Sequence, residues 1–285
     1  MERFYRFADI TLRITANEED LYRQDGVLLP FRVEGPDFCH TISYQIVDTL
    51  PVPEGDPIFR GLQLQVFRQG QVQTICLGDT DHLSAGAHTQ IRREGNHSQV
   101  QVLRSKIPDR IPARFVLNTL EIEYHIAHHG GFLLHSSFIS WNGKAILFTA
   151  PSGTGKSTQA ELWKKYRGAE IINGDRTAVM VSDGGIVAHG VPYCGTSGIC
   201  GNAELPLAAI VYLTQSPKSS VQPLTGLRAF RRVWEGCSVH TWDREDMELC
   251  TNAVMEAIRQ VPVLHLACTP DEDAVNVLDA YLRKG

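Results

Sequence analysis

One stretch of the sequence combines glycines, a lysine and hydroxyl side chains at a spacing that suits phosphate chemistry. It reads Ala-Pro-Ser-Gly-Thr-Gly-Lys-Ser at residues 150–157. In such a loop the glycines let backbone N–H groups close around phosphate oxygens, and the following helix directs its positive end at the same anion. We expect the Lys156 ammonium to contact the β- and γ-phosphates of ATP and the Ser157 hydroxyl to hold Mg²⁺. The stretch therefore predicts a nucleotide-binding loop.

A strand and a helix must position this loop. The apolar run at 145–148 predicts a short buried strand, and residues 158–167 have helical spacing. Ala150 replaces the first glycine of the usual motif, which leaves Gly153 and Gly155 to cover the tightest part of the loop. The alternative is a chance glycine-rich turn in an α/β protein, but the strand–loop–helix order favours nucleotide binding. The expected contact residues are Ser152, Gly153, Thr154, Gly155, Lys156, Ser157 and Thr158.

Two polar residues outside the loop are candidates for the chemistry. His135 lies in the apolar run 132–139, which an Asn-Gly turn at 142–143 joins to the strand entering the loop, a strong hairpin signal. Asp175 follows the short apolar strand 169–173, where a carboxylate that serves as a base or a metal ligand would belong. Two plainer interpretations stay open, namely His135 as a satisfied core histidine and Asp175 as a cap of the strand end.

The chain divides into two parts by pattern. Residues 1–111 are rich in strand patterns separated by turn signals, whereas from Pro112 apolar residues recur at helical spacing. We therefore expect a β-rich accessory domain at 1–111 and a nucleotide-binding domain at 112–285. The first part carries no catalytic motif, so it either shapes a substrate site, mediates assembly or is a stabilising β-layer. Its predicted strands are 9–15, 40–47, 62–66, 72–77 and 100–103.

Other features of the second part leave two interpretations open. His125 and His129 lie four residues apart at the end of a predicted helix, where they suit either a metal or the negative end of the helix, and the second is the commoner arrangement. The glycine-rich segment 190–201 predicts either a loop that faces the acceptor or an inert surface loop. The pattern Thr269-Pro270-Asp271-Glu272 predicts a capping box at the start of the last helix.

The segment 227–234 predicts an amphipathic helix with an apolar face and a basic face. The basic face could neutralise a phosphoryl group or an acidic substrate, although a solvated charged face is the commoner use of such spacing. The apolar face consists of Leu227, Phe230 and Trp234, and the basic face consists of Arg228, Arg231 and Arg232.

Composition and charge exclude several classes of partner. The chain has 285 residues, 43% of them hydrophobic, and its formal net charge of −5 argues against a broad basic face for nucleic acid or membrane lipid. No stretch reaches the length of a membrane span, and residues 1–6 lack the apolar core of a signal peptide, so we expect a cytoplasmic protein. The seven cysteines are scattered without a C-x-x-C pair, which favours reduced thiols over disulfides or zinc.

Together, His135, the Asn-Gly hairpin, the loop at 150–157 and the Gly174-Asp175 step resemble the catalytic domain of HPr kinase/phosphorylase. The chain is similar, more distantly, to the nucleotide-binding half of phosphoenolpyruvate carboxykinases. The resemblance implies an α/β fold, a P-loop domain with a mixed sheet and flanking helices, preceded by the β-rich N-terminal domain. Gly174 stands where the kinase family has a second Asp. The residues that match the family's motif are His135, Lys156, Ser157 and Asp175.

The resemblance implies an ATP- and Mg²⁺-dependent kinase whose acceptor is a hydroxyl, first of all the serine of a protein or peptide. Asp175 would act as base or second metal contact, Lys156 would carry the triphosphate, and His135 would orient Asp175 or the γ-phosphate. A small-molecule kinase uses the same parts and stays open, as does a non-catalytic nucleotide-binding module, which the missing carboxylate at Gly174 favours. A carboxykinase-like lyase is disfavoured because its extra Lys and His metal ligands are not found. The sequence leaves oligomeric state, including a homo-oligomer, undecided.

Overall fold

The computed structural model describes residues 2–16, 25–35, 37–78, 87–106 and 113–284 of the chain. The chain folds as two compact units, Met1–Glu121 and Ile122–Gly285. The domain boundary expected between residues 111 and 112 lies outside the described residues. Among the described residues, every helix is too short or too polar to cross a lipid bilayer.

The first unit is a mixed β-sheet. Its elements are β1 Glu2–Phe7, β2 Ile10–Ala16, β3 Arg32–Val33, β4 His40–Val47, β5 Phe59–Arg60, β6 Leu64–Gln69, β7 Val72–Leu77, β8 Thr89–Glu94, β9 His97–Leu103 and α1 Ala113–Thr119. The described strands follow the order β3-β1-β2-β4-β9-β8-β7-β6-β5. The β2–β4 and β4–β9 pairs are parallel, and the neighbouring β1–β2 and β8–β9 pairs are antiparallel.

The β-rich character expected for the first part of the chain is confirmed. β4 and β7 coincide with the predicted strands, and β2, β6 and β9 overlap theirs with shifted ends. β8 was missed because its buried side chains include Thr89, Gln90 and Arg93 beside a single aliphatic residue, Ile91. Alternation of apolar and polar residues is the signal that marks a half-buried strand, and β8 lacks it.

The second unit is a mixed sheet with helices on both faces. Its elements are α2 Ile122–His128, β10 Gly131–Trp141, β11 Lys144–Thr149, α3 Lys156–Arg167, β12 Glu170–Asn173, β13 Arg176–Ser182, β14 Gly185–Gly190, β15 Glu204–Gln215, β16 Ser220–Leu224, α4 Gly226–Trp234, β17 Cys237–Ser238, α5 Arg244–Gln260, β18 Val263–Cys268 and α6 Glu272–Leu282. The predicted mixed α/β architecture with flanking helices is confirmed.

Two long strands, β10 and β15, hold the second sheet together. The first half of β10 pairs with β13 and its second half with β11, both antiparallel. The start of β15 pairs with β14, and its end runs parallel to both β11 and β18. The order β11-β10-β13-β14-β15-β18-β16 therefore curls back on itself through the added β11–β15 pairing.

The two faces of β11 explain how the helices are distributed. Ile146 and Phe148 pack with Trp163 of α3 and the apolar side of α6, whereas Leu147 belongs to the cluster under α4 and α5. Successive residues of a strand point to opposite faces, so one apolar run supplies both cores. Each fully buried large apolar side chain contributes roughly 1.5–3 kcal/mol, which makes β11 a rigid base for the segment that follows it.

Turns and caps agree with the sequence except at the last helix. The Asn142-Gly143 hairpin is confirmed, with both residues at positive φ of 50° and 73°. The capping box placed at Thr269 is wrong, because the N-cap of α6 is Asp271, whose carboxylate accepts from the backbone N–H of Asp273. Pro270 thus precedes the helix, and the Thr269 hydroxyl donates to the Asp271 carboxylate at 2.7 Å.

Candidate functional site

The segment between β11 and α3, residues 150–155, is called the β11–α3 loop below. Gly153 and Gly155 have φ of 77° and 119°, in the left-handed region that favours glycine. Ala150 is buried and its φ is not positive, so alanine at the first glycine position of the motif causes no strain. The loop ends at Gly155, the N-cap of the 12-residue helix α3.

Lys156 is the first residue of α3, and its side chain folds back over the β11–α3 loop. Its Nζ donates to the carbonyl oxygens of Ala150 at 2.9 Å and Pro151 at 3.3 Å. Burial lowers the pKa of the Lys156 ammonium, and the negative charge of nearby Asp175 opposes that shift. Ser157 and Thr158 lie exposed in the first turn of the same helix. Lys156 is thus a buried cation at the junction of the β11–α3 loop and α3.

His135 and Asp175 come together beside this loop. The Nε2 of His135, on β10, lies 3.6 Å from Oδ1 of Asp175, in the turn between β12 and β13. Nε of Arg176 lies 3.7 Å from the other oxygen, Oδ2. Burial lowers the pKa of His135, with the charges of Lys156 and Arg176 adding to the effect and that of Asp175 opposing it. The imidazole is therefore neutral at pH 7.

Asn173 fixes the turn that presents Asp175. Its fully buried side chain accepts from the backbone N–H groups of Asp175 at 3.0 Å and Arg176 at 3.2 Å, and it donates to the carbonyl of Val191 at 2.6 Å. The backbone carbonyl of Asp175 also accepts from the Ser136 N–H. The sequence pattern predicts Asn173 only as the last residue of a strand. An Asx turn is the local signal that would have identified it.

The glycine-rich segment 190–201 packs against this turn. Gly174 N–H donates to the carbonyl of Ile199, and a Cβ built on Gly195 would lie 2.9 Å from Asp175 Oδ1. A Cβ built on Gly174 would collide with the Ser197 side chain. A side chain at position 174 therefore requires Ser197 to move, which disfavours the carboxylate that the kinase family has there.

We expect Gly174→Asp to destabilise the protein. An added side chain must displace Ser197 and the segment that holds it, and overpacking of this kind typically costs about 1–3 kcal/mol. The matched control is Gly184→Asp, at a turn where the nearest atom to a new Cβ is Ser182 Oγ at 3.6 Å. Urea unfolding of both variants measures the effect. Equal stability of the two variants would show that the packing argument is wrong.

A cavity of about 480 Å³ opens next to the β11–α3 loop and is called the loop cavity below. Arg232 reaches it from α4, with its guanidinium 4.6 Å from the Tyr212 ring centre and donating to the Tyr212 hydroxyl at 3.2 Å. Arg232 therefore lines this cavity, and 41% of its side chain is also exposed to solvent. The lining of the loop cavity includes His135, Thr149, Ala150, Arg176, Tyr212 and Arg232.

The prediction of which residues form the apolar face of α4 is wrong in part. Leu227 is 81% exposed, since it lies in the first turn ahead of the packed segment. The helix instead buries Ala229 and Val233, with Phe230 and Trp234 packed partly against the core.

Comparison with protein-family models matches residues 113–270, more than half of the chain, to the family described as SynChlorMet cassette protein ScmC. The chain belongs to the ScmC family. The matched region contains every residue predicted for the site, from His135 to Asp175. Sequence comparison with curated proteins finds no match.

Among solved structures, the ScmC-family chain is similar to the Hpr(Ser) kinase/phosphatase from Coxiella burnetii. The two share 10% sequence identity, and the match covers 53% of this chain and 88% of that one with a TM-score of 0.31. A likeness at that score carries no conclusion about activity or substrate.

A second polar cluster lies within the ScmC-family region. Asp246 of α5 is buried, and its two oxygens bind His128 Nε2 at 2.8 Å and His240 Nδ1 at 2.9 Å. Burial opposes ionisation of Glu123, but its hydrogen bond to His240 and the charge of that ring prevail and lower the pKa of Glu123 to about 2. The cluster ties α2 to α5. His128 thus has a specific carboxylate partner in addition to its place near the helix end.

His129 fulfils the helix-end expectation directly. Its ring Nδ1 lies 2.7 Å from the backbone carbonyl oxygen of His125, four residues earlier, as a donor to a carbonyl in the last turn of α2. The ring therefore donates to a backbone carbonyl near the C-terminus of α2, a position that favours an imidazole.

Proposed function

We propose that this chain is a Mg²⁺- and ATP-dependent kinase that transfers the γ-phosphoryl group to a hydroxyl, first of all the serine of a peptide or protein. One observation carries the proposal. A glycine-rich loop with a buried lysine at a helix N-terminus lies beside a carboxylate–imidazole pair, Asp175 and His135, whose nearest atoms are 3.6 Å apart. Phosphoryl transfer needs these two parts, an anion cradle and a group that accepts a proton.

The β11–α3 loop and α3 suit the triphosphate. Backbone N–H groups at the start of a 12-residue helix are unpaired within the helix and carry partial positive charge, so they favour a phosphate. Residues 152–158 supply those groups and the hydroxyls of Ser157 and Thr158. Lys156 is held at the loop by its two carbonyl contacts and needs only to exchange them for phosphate oxygens.

Asp175 suits the proton transfer. The acceptor Oγ attacks the γ-phosphorus, the bond from that phosphorus to the β–γ bridging oxygen breaks, ADP leaves, and the hydroxyl proton passes to the Asp175 carboxylate. The Asn173 side chain holds the Asp175 backbone, which fixes the turn that carries the carboxylate. His135 lies near one oxygen of that carboxylate and Arg176 lies near the other.

The donor set at the site fits Mg²⁺. The Ser157 hydroxyl and the Asp175 carboxylate are oxygen ligands, the type that this cation prefers. When bound, Mg²⁺ would neutralise charge on the β- and γ-phosphates.

A non-catalytic nucleotide-binding module is the second candidate. Position 174 is a glycine whose packing against Ser197 disfavours a side chain, so the site offers one acidic group where the kinase family has two. Such a module would bind ATP tightly and release no ADP when acceptors are added.

The experiment that separates the two candidates uses γ-labelled ATP, Mg²⁺ and a lysate of the protein's own source. Label is followed into the protein fraction and into the small-metabolite fraction. Label in protein or peptide supports the proposal, label in metabolites supports a small-molecule kinase, and ATP binding without transfer supports the module.

We expect transfer to require a divalent cation, with Mg²⁺ or Mn²⁺ serving. Oxygen ligands accept both ions, and the charge on the triphosphate must be offset during transfer. The measurement is activity after chelation followed by titration of each ion, with Ca²⁺ as a comparison. Full activity in excess chelator would contradict the metal assignment.

A further inference from the structure

A second cavity, of about 330 Å³, adjoins the loop cavity and is called the basic cavity below. Arg232 lines both cavities, so the two are neighbours along α4. Three arginines of one helix face three polar side chains of the sheet across the basic cavity. Its polar lining consists of Thr214, Gln222, Arg228, Arg231, Arg232 and His265.

A polar row across the sheet connects the two cavities. Thr149 of β11 pairs with Tyr212 of β15, Tyr212 with His265 of β18, and His265 with Gln222 of β16. Directly paired residues point to the same face of a sheet, so these four side chains form a continuous floor. Thr149 lies in the loop cavity, and His265 and Gln222 lie in the basic cavity.

The floor of the basic cavity is neutral. Gln222 Nε2 donates to Nδ1 of His265 at 3.1 Å, so the other ring nitrogen carries the proton toward Thr214 Oγ1 at 2.8 Å. Burial lowers the pKa of His265, and the positive charge of Arg232 adds to this effect. Both causes favour the uncharged ring. The charge of the cavity therefore comes from α4.

That charge is positive and only partly compensated. Arg231 and Arg232 share one carboxylate, Glu235, at 2.9 and 3.0 Å, and Arg228 has no ion pair with any described residue. A net positive cavity in a chain of net charge −5 is a local reversal of sign. The planar guanidinium groups match a carboxylate in a two-point contact.

We infer that the basic cavity binds a carboxylate side chain of an acidic peptide, and that the acceptor serine lies three or four residues from that Asp or Glu. The inference rests on the proposed kinase function for the serine. Neighbouring strands are about 4.8 Å apart, so the path from β11 to β18 or β16 is roughly 10–14 Å. An extended peptide advances about 3.3–3.6 Å per residue, which gives the three- or four-residue spacing.

Binding is tested first, without turnover. The probes are fluorescent nine-residue peptides with Ala at the centre. Each peptide has a single Asp or Asn at one of the other positions, and neutral residues fill the rest. Anisotropy with the full chain should give about tenfold tighter binding for Asp than for Asn three or four residues from the centre. Arg228→Gln should remove this preference. The exposed Arg259→Gln on α5, whose arginine lines neither cavity, is the matched control and should keep it.

Phosphoryl transfer is measured next with Ser at the centre of the same peptides. Equal binding of Asp and Asn peptides, an Asp preference independent of position, or equal loss in Arg228→Gln and Arg259→Gln would each overturn the inference. Position-specific, Arg228-dependent binding without transfer would support the acidic subsite and contradict the kinase function. Transfer to all peptides without an Asp preference would support the kinase and overturn the subsite.

Discussion

Asp175→Asn is expected to reduce phosphoryl transfer by roughly 10²–10⁴-fold, the usual contribution of a positioned general base. An amide of the same shape neither accepts the acceptor's proton nor supplies negative charge. The loss should fall on kcat, because the interaction is made mainly as the phosphoryl group moves. The loss in kcat is measured by steady-state phosphoryl transfer to the acceptor that the lysate experiment identifies.

The fold of this variant should be unchanged. The Asp175 oxygens lie 3.6 and 3.7 Å from their partners, beyond hydrogen-bond distance, whereas its backbone is held by Asn173 and Ser136. Asp183→Asn, at the exposed β13–β14 turn, is the matched control. Wild-type turnover in Asp175→Asn would show that this residue only caps the end of a strand, and it would favour the binding module.

Lys156→Ala is expected to weaken ATP binding by roughly ten- to a hundredfold, since hydrogen bonds to a charged group contribute about 1.5–3 kcal/mol. Lys156 is 8% exposed, and its ammonium donates to two carbonyl oxygens of the β11–α3 loop. Isothermal titration calorimetry with ATP, in Mg²⁺, measures the change.

The matched control is Lys164→Ala, which removes an exposed lysine from the same helix without touching the loop. Both variants should melt near the wild-type temperature, because Lys156 loses only contacts to two loop carbonyls that water can replace. Unchanged ATP affinity in Lys156→Ala would contradict the assignment of the nucleotide site. It would therefore contradict both the kinase and the binding-module proposals.

Local sequence determined the elements around the site. The apolar run of β11 and the Asn-Gly turn specify the hairpin, because a two-residue turn with both residues at positive φ suits Asn-Gly and few other pairs. Gly153 and Gly155 likewise mark the only described loop positions between β11 and α3 with left-handed backbone. In each case the deciding interaction lies within a few residues of the chain, so a local pattern is sufficient.

Contacts between distant residues were decided by the tertiary structure alone. The close contact that disfavours a side chain at position 174 comes from Ser197, and Arg232 meets Tyr212 only because α4 packs against β15. No periodicity encodes these pairings, since each depends on which strands become neighbours and in what register. The sequence by itself thus determined the strand, the loop, the helix and their candidate phosphate chemistry, whereas packing of the sheet decided which side chains share the cavity with them.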